Sequence, residues 1–489
     1  MRSLSVRVIA VTIFGIACCS CASEPPTRED ARRALAKAAT FFHSEVSSNG
    51  GYVWRYSGDL ALREGEAKAT KTMIWVQPPG TPTVGQAFLD AYEATGHQLH
   101  LDAALDAAHA LVKGQLRTGG WAYHIEFDPE KRQEYAYRDV PQRKTTRWKK
   151  ATQLDDDTTQ SATRFLMRLD NILGLKDQKI HEAVTYALNS MVRAQFPNGG
   201  WYAWWDRYPD GHTLPVERFG GNLADYPVLR ASYPASWSRT WTKDFSGCYV
   251  INDDLMADMI AVMFDAYDIY GDERYLASAK KAGGFLVLAQ MPEPQPAWAQ
   301  QYDRDMHPAW SRKFEPPAIT ALESQGVIEA LLQLYGRTGD KKYLEPIPRA
   351  ITYLRKSQLP DGRLARFCEL ETNRPLYFTK DYKLTYSRDE MPKHYSFVVD
   401  SRLAELDAEY RQLLGTDPAE LAEKQGMQRV TPELAAEVRS LIAGMDARGA
   451  WVAQEVLDAH DLKPASGVIE CRAFAENVRT LCKFISAAR

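Results

Sequence analysis

Apolar residues recur along this chain at the period of an α-helix, in segments that stop at a repeated polar phrase. Val184, Leu188, Met191 and Val192 mark one helical face, as spacings of three and four predict. That segment closes on Gln195-Phe196-Pro197-Asn198-Gly199-Gly200-Trp201. Gln115-x-x-x-Gly119-Gly120-Trp121 repeats the phrase, and Gln358-x-x-Asp361-Gly362 shortens it. Looser copies run from Gln290 to Trp298 and over Asn49-Gly50-Gly51-Tyr52, which follows Phe41 and Phe42. Glycine at such a point supplies the left-handed residue that ends a helix. Between the phrases lies a second signal: Ala94-Thr95-Gly96, Tyr270-Gly271-Asp272 and Thr338-Gly339-Asp340. The unit is therefore helix, short glycine turn, helix, Gln-to-Trp loop, its aromatic residue read first as a cap packed between helices.

Trp121 and Trp201 are 80 residues apart, and Trp201 and Trp298 are 97 apart. Ordinary helical repeats run to roughly 34–47 residues, so loops must be inserted. One insertion spans Glu126 to Lys150 and is rich in Lys and Arg; the other runs from about Asp206 to Gly247. Helical hairpins in series bury their faces against one another and curl into a ring. The expected fold is all-α: an α/α toroid, or incomplete α/α barrel, of repeated hairpins with long loop insertions that gather in a cleft at one end. Residues 23–489 are expected to form one domain, with a motif core over about 110–400 and closing helices, rich in Ala, Glu and Leu, over 401–489.

Composition narrows the partners. Asp and Glu total 63 against 60 Lys and Arg, a net charge of −3, so no global cationic field marks a nucleic-acid binder. A hydrophobic share of 45% and a charged share of 25% exclude a disordered or multi-span membrane chain. Arg2 and Arg7 precede an apolar run from Val8 to about Ala17, followed by Ser20, Ala22 and Ser23. This is the layout of a secretory signal over residues 1–22, so the protein is expected to be exported, periplasmic or extracellular, with lipid attachment at Cys18, Cys19 or Cys21 as an alternative. It is expected to lack an integral membrane domain and to act as a monomer. Of the four later cysteines, Cys471 and Cys482 on one helix, at about 1.5 Å per residue, are too far apart to bridge.

Four stretches carry chemistry. Asp155-Asp156-Asp157 opens a helix; capping explains one or two of these acids. Three in succession raise one another's pKa unless a cation neutralises them, and such oxygen-rich clusters suit Ca²⁺. Asn252-Asp253-Asp254 opens another helix at the corresponding place in its repeat, so the two acidic starts should meet at one end of the ring. Arg304, and then Arg312 and Lys313 in the loop Pro308-Ala309-Trp310-Ser311-Arg312-Lys313-Phe314-Glu315-Pro316-Pro317, would present cations to an anionic ligand from a stiff support. Residues 362–381 place Arg363, Arg366, Arg374 and Lys380 near a turn at Asn373-Arg374-Pro375, with Glu369 and Glu371 available to pair with two of them. The apolar spacing there fits either extended ribbon or helix.

In the same order, Gln195–Trp201, Asn252-Asp253-Asp254-x-Met256, the Pro308–Pro317 loop and Ala365-Arg366-Phe367 with Thr372-Asn373-Arg374-Pro375 resemble the motifs of the family 10 pectate lyases. The resemblance implies an α/α toroid and Ca²⁺-dependent β-elimination of polygalacturonate. It assigns ligand-side roles to Asp155 and Asp253, proton abstraction to Arg312 and substrate binding to Arg366. A guanidinium normally keeps its proton, so Arg312 as a base would need clustered cations and the metal to disfavour its charge. Residues and resemblance together nominate Arg312 and Asp155 as catalytic, Asp155, Asp156 and Asp253 as Ca²⁺ ligands, and Arg304, Arg366, Arg374, Lys380, Trp201 and Asp254 as contacts to an anionic polysaccharide. The rival readings are an α/α-barrel glycoside hydrolase, a non-catalytic glycan-binding toroid and a class II terpene-cyclase-like enzyme.

Overall fold

The computed structural model describes residues 25–141, 143, 145–206, 225–241, 249–416 and 429–487. The leader, Cys248 and much of the second insertion lie outside these residues. Twelve α-helices are found among them: α1 Arg28–Phe41, α2 Thr81–Thr95, α3 Gln98–Lys113, α4 Thr158–Ile172, α5 Gln178–Ala194, α6 Leu255–Tyr270, α7 Glu273–Leu288, α8 Ala321–Thr338, α9 Ile347–Lys356, α10 Leu403–Gly415, α11 Pro432–Ala443 and α12 Cys471–Ala487. Helix α12 packs on α2, and the packing continues through α4, α6 and α8 to α10. Outside this row, α3, α5 and α7 back their hairpin partners, while α1 and α11 back α12. The fold is an α/α toroid in which the C-terminal helix joins the first hairpin. No helix among the described residues is long and apolar enough to cross a membrane.

The repeated phrase has a mechanical explanation. Gln195 Nε2 donates to its own loop at the Gly199 carbonyl and to the Ser278 carbonyl of α7, both at 3.0 Å. Gln115 does the same to Gly119 and to Ala183 of α5, both at 2.8 Å. Each glutamine therefore ties one outer helix to the next. The indole N–H of Trp121 donates to the Leu111 carbonyl at 2.8 Å, and that of Trp201 to the Met191 carbonyl at 2.9 Å; both acceptors lie in the last turn of their helix, where carbonyls lack i+4 partners. Gly199 has φ +100°, and a Cβ there would lie 2.0 Å from the Lys281 carbonyl oxygen, so only glycine lets this turn seat on α7. Trp451, with its indole N–H on the Leu441 carbonyl at 2.9 Å, closes a further copy that lacks the glutamine.

These contacts correct one site expectation. Trp201 is fully buried and its polar atom is used, so it is a strut between helices and does not face a ligand. Beside the ring, residues 318–320, 367–369, 375–378 and 384–385 form a four-stranded antiparallel sheet. It has its own small core around Trp310, Phe367, Phe378 and Phe397. Residues 362–381 are thus ribbon rather than helix, turning at Glu371 and Asn373, both with positive φ. Cys368, Cys471 and Cys482 are free and buried.

Candidate functional site

Short strand pairs join neighbouring repeats at one end of the toroid and bring the acidic helix starts together. Thr152–Gln153 pairs with Trp204–Trp205, and Tyr249–Val250 pairs with Gln301–Tyr302. Leu154 N–H donates to the Ala203 carbonyl at 2.8 Å, and Ile251 N–H to the Gln300 carbonyl at 2.9 Å. From these anchors the chain enters α4 through Asp156 and Asp157, with φ 51° and 55°, and α6 through Asp253 and Asp254, with φ 53° and 56°. Four non-glycine residues in the left-handed region are costly. Neither N-terminal residue, Asp157 or Asp254, caps its helix with its side chain, so helix capping does not account for these acids.

Asp155, Asp156 and Asp253 each direct a carboxylate oxygen to within 4.8 Å of the other two. Tyr123 Oη donates to Asp155 at 3.1 Å, and Gln77 Nε2 to Asp156 at 2.8 Å. Asn252 Nδ2 donates to Asp253. Burial and the Asp155 charge push Asp156 up to about 6. Burial, then Asp155 and Asp156, push Asp253 up to about 8. Burial also raises Asp155, while the nearby Arg312 opposes the shift. The third acid of the run, Asp157, leaves this group: Arg164 Nη2 donates to both of its carboxylate oxygens at 2.6 Å, and Nη1 reaches Asp258 at 3.1 Å.

Arg312 lines an open cleft of about 230 Å³ together with Asp155, close enough to oppose the pKa rise of all three acids, and it stands on a firm support. Its Nε donates to Glu315 Oε2 at 2.8 Å, and its Nη2 bonds the other carboxylate oxygen. Glu315 is buried and also accepts from Tyr395 Oη at 3.0 Å and Gln300 Nε2 at 3.2 Å. Burial alone would lower the arginine's pKa, but Glu315 outweighs it and holds the guanidinium more firmly protonated than usual. The condition for Arg312 as a base, surroundings that disfavour its charge, is therefore not met: its immediate partner is an anion.

No family model and no curated protein matches the sequence. Among solved structures, the chain is similar to a mutant family 10 polysaccharide lyase from Cellvibrio cellulosa in complex with trigalacturonic acid. That match has 16% identity, covers 68% of this chain and 99% of that one, and has a TM-score of 0.45. It is also similar to a sugar epimerase from a ruminal bacterium, with 14% identity, 94% and 98% coverage and a TM-score of 0.47. A third is the cellobiose 2-epimerase from Bacillus thermoamylovorans, with 13% identity, 94% and 98% coverage and a TM-score of 0.44. Likeness at this level assigns no activity.

The remaining expected contacts do not join the cleft. Arg366 is buried, with its Nη2 on Glu323 at 2.5 Å and its guanidinium 4.3 Å from the Tyr395 ring centre; it braces the site from behind. Asp254 lies in a narrow crevice with Glu323 and Gly326. Arg304 is exposed, donates to the Asp225 carbonyl at 3.0 Å and covers Tyr226. Arg374 lies 3.4 Å over the Tyr386 ring, and Lys380 is exposed on a turn. Nor do the local acids pair as expected, since Glu369 binds Arg239 and Arg363 binds Asp361. Residues absent from the sequence-derived set but lining the cleft include Tyr123, Arg147, Trp148 and Trp204. The basic character of the 126–150 insertion was the only signal for two of them.

Arg366→Leu is expected to cost about 3–5 kcal/mol of stability, because Glu323 would remain as a buried unpaired charge. Thermal melting of this variant and of Arg366→Leu/Glu323→Leu tests the bracing role, which requires the double variant to recover most of the loss. Native melting with a raised KM would instead return Arg366 to substrate binding.

Proposed function

We propose that this chain is an exported polysaccharide lyase that cleaves polygalacturonate or a related uronate glycan by Ca²⁺-assisted β-elimination. The observation that carries this reading is a cluster of three carboxylates, one of them in the wall of an open cleft, with a pinned guanidinium in the same wall. Asp155, Asp156 and Asp253 fit a hard divalent cation: they are oxygen donors that repel one another, two of them with pKa values pushed up to about 6 and about 8, and a cation relieves that repulsion. Bound there, Ca²⁺ would supply positive charge to the uronate carboxylate.

Elimination passes the C5 proton to a base, for which water or hydroxide admitted by the open cleft serves, places the C5–H electron pair in a C4–C5 double bond and breaks the C4–O bond, whose electrons leave with the oxygen and are protonated by water. The negative charge that builds on the carboxylate side needs fixed cations that do not reorganise. Arg312 supplies one, since Glu315 sets its orientation and keeps it charged, and we assign it this neutralising role. Gln300 and Tyr395 hold Glu315 in turn. The inverting glycosidase reading has less support, because it needs carboxyl groups about 6.5–9.5 Å apart to admit a water, whereas these oxygens lie within 4.8 Å. A carbocation, as in the terpene-cyclase reading, would be repelled by Arg312 and Arg147 in the cleft wall.

Absorbance of the unsaturated uronate product, followed on polygalacturonate and on other uronate polymers with and without chelator, tests the proposal. Product that appears and is lost with excess chelator is the expected result. New reducing ends without unsaturation would overturn elimination, and full activity in chelator would overturn the metal's part.

A further inference from the structure

The insertion at 126–150 builds part of the cleft wall. The Arg147 guanidinium lies between two indoles, 4.3 Å from the ring centre of Trp148 and 4.4 Å from that of Trp204. Trp204 belongs to the strand that pairs with Gln153, two residues before Asp155, and Arg147, Trp148 and Trp204 line the same cleft as Asp155 and Arg312. The insertion is held firmly there: Lys150 and Ala151 N–H donate to the Arg147 carbonyl at 3.0 and 2.8 Å, and Ala136 N–H donates to the Lys149 carbonyl at 2.9 Å.

Charge pairing singles out Arg147. Arg312 pairs with Glu315, Lys150 with Asp206 at 3.1 Å and Lys149 with Glu134. Arg147 has no carboxylate partner among the described residues; its Nε is buried, and its two Nη groups are not. Rings over the faces of a guanidinium leave its two Nη groups to a planar bidentate acceptor. Trp148 is 54% exposed, and an exposed indole face suits the apolar face of a sugar ring.

We infer that Arg147, clamped by Trp148 and Trp204, is a carboxylate-binding subsite for one uronate residue of an acidic glycan, with Trp148 as its stacking platform. The inference rests on the uronate-glycan reading above and adds a residue-level basis for selecting acidic over neutral sugars.

The test is titration calorimetry with trigalacturonate and with a neutral trisaccharide, on wild type, Arg147→Gln, Arg147→Lys and Trp148→Ala, beside KM and kcat on polygalacturonate. Trigalacturonate affinity should fall about tenfold in Arg147→Gln and fall in Trp148→Ala, with Arg147→Lys intermediate. The kinetic loss should lie in KM with kcat largely kept, and the neutral trisaccharide should be bound no differently by wild type and the two Arg147 variants. Trp148 is exposed, so its variant tests the subsite even where an arginine variant fails to fold. Unchanged trigalacturonate affinity in Arg147→Gln and Trp148→Ala, or wild type preferring the neutral sugar, overturns the inference. Binding lost in Arg147→Gln from a wild type that makes no unsaturated product leaves the subsite standing and removes the lyase reading. Unsaturated product with unchanged KM in Arg147→Gln does the reverse.

Discussion

Asp253→Asn is expected to reduce Ca²⁺-dependent turnover by about 10³-fold or more while making the metal-free protein more stable. Asp253 lies with Asp155 and Asp156 in one cluster, where burial and those two charges lift its pKa to about 8. Because the folded value is raised, the native state holds more protons than the unfolded chain between about pH 4 and 8. Metal-free stability therefore falls as pH rises through that window. Asparagine has nearly the same shape without the charge, so the variant's melting temperature should exceed wild type by roughly 2 °C or more at pH 9 and by less at pH 5. Ca²⁺ should raise the wild-type melting temperature, more at pH 8 than at pH 5, because protons compete for the same oxygens. In Asp253→Asn that Ca²⁺ response should be much smaller. A variant that melts lower than wild type yet keeps the full Ca²⁺ response would show that Asp253 is a structural acid and not a ligand.

The second large effect is at Arg312. If it acts as a pinned cation, Arg312→Ala should lower kcat/KM by about 10³-fold, and Arg312→Lys should keep measurable turnover with a raised KM, the mark of weakened ground-state binding. Glu315→Gln separates the two possible roles. It removes the anion that keeps Arg312 protonated and one side of its bidentate support. A cation loses its aim and activity falls across the pH range, whereas a base becomes easier to deprotonate and alkaline activity rises. The pH profiles of kcat/KM for these three variants decide it: alkaline gain in Glu315→Gln, together with Arg312→Lys as inactive as Arg312→Ala, would restore the base role implied by the family resemblance.

Periodicity and recurring phrases were enough to read the toroid, because a helical hairpin can bury its apolar face only against another such hairpin, and the Gln-to-Trp loops that join them must satisfy the same helix ends each time. The same logic made the meeting of Asp155, Asp156 and Asp253 legible, since acids at corresponding places in neighbouring repeats are carried to the same end. Other features were decided by tertiary structure alone. Trp201 carries the most distinctive letter of its motif, yet the fold uses it as a strut; burial is a property of neighbours, not of a motif. Arg366 and Arg312 look alike as cations on a line of text, but one is sealed behind Tyr395 on Glu323 and the other reaches the cleft from Glu315. Arg147 and Trp148 read only as part of a basic insertion until folding brought them beside Trp204, more than fifty residues away in the chain. Local sequence determined which helices form and where they stop, because those choices depend on near neighbours in the chain. Which charges find partners depends on contacts between distant segments, and only the folded ring makes those contacts.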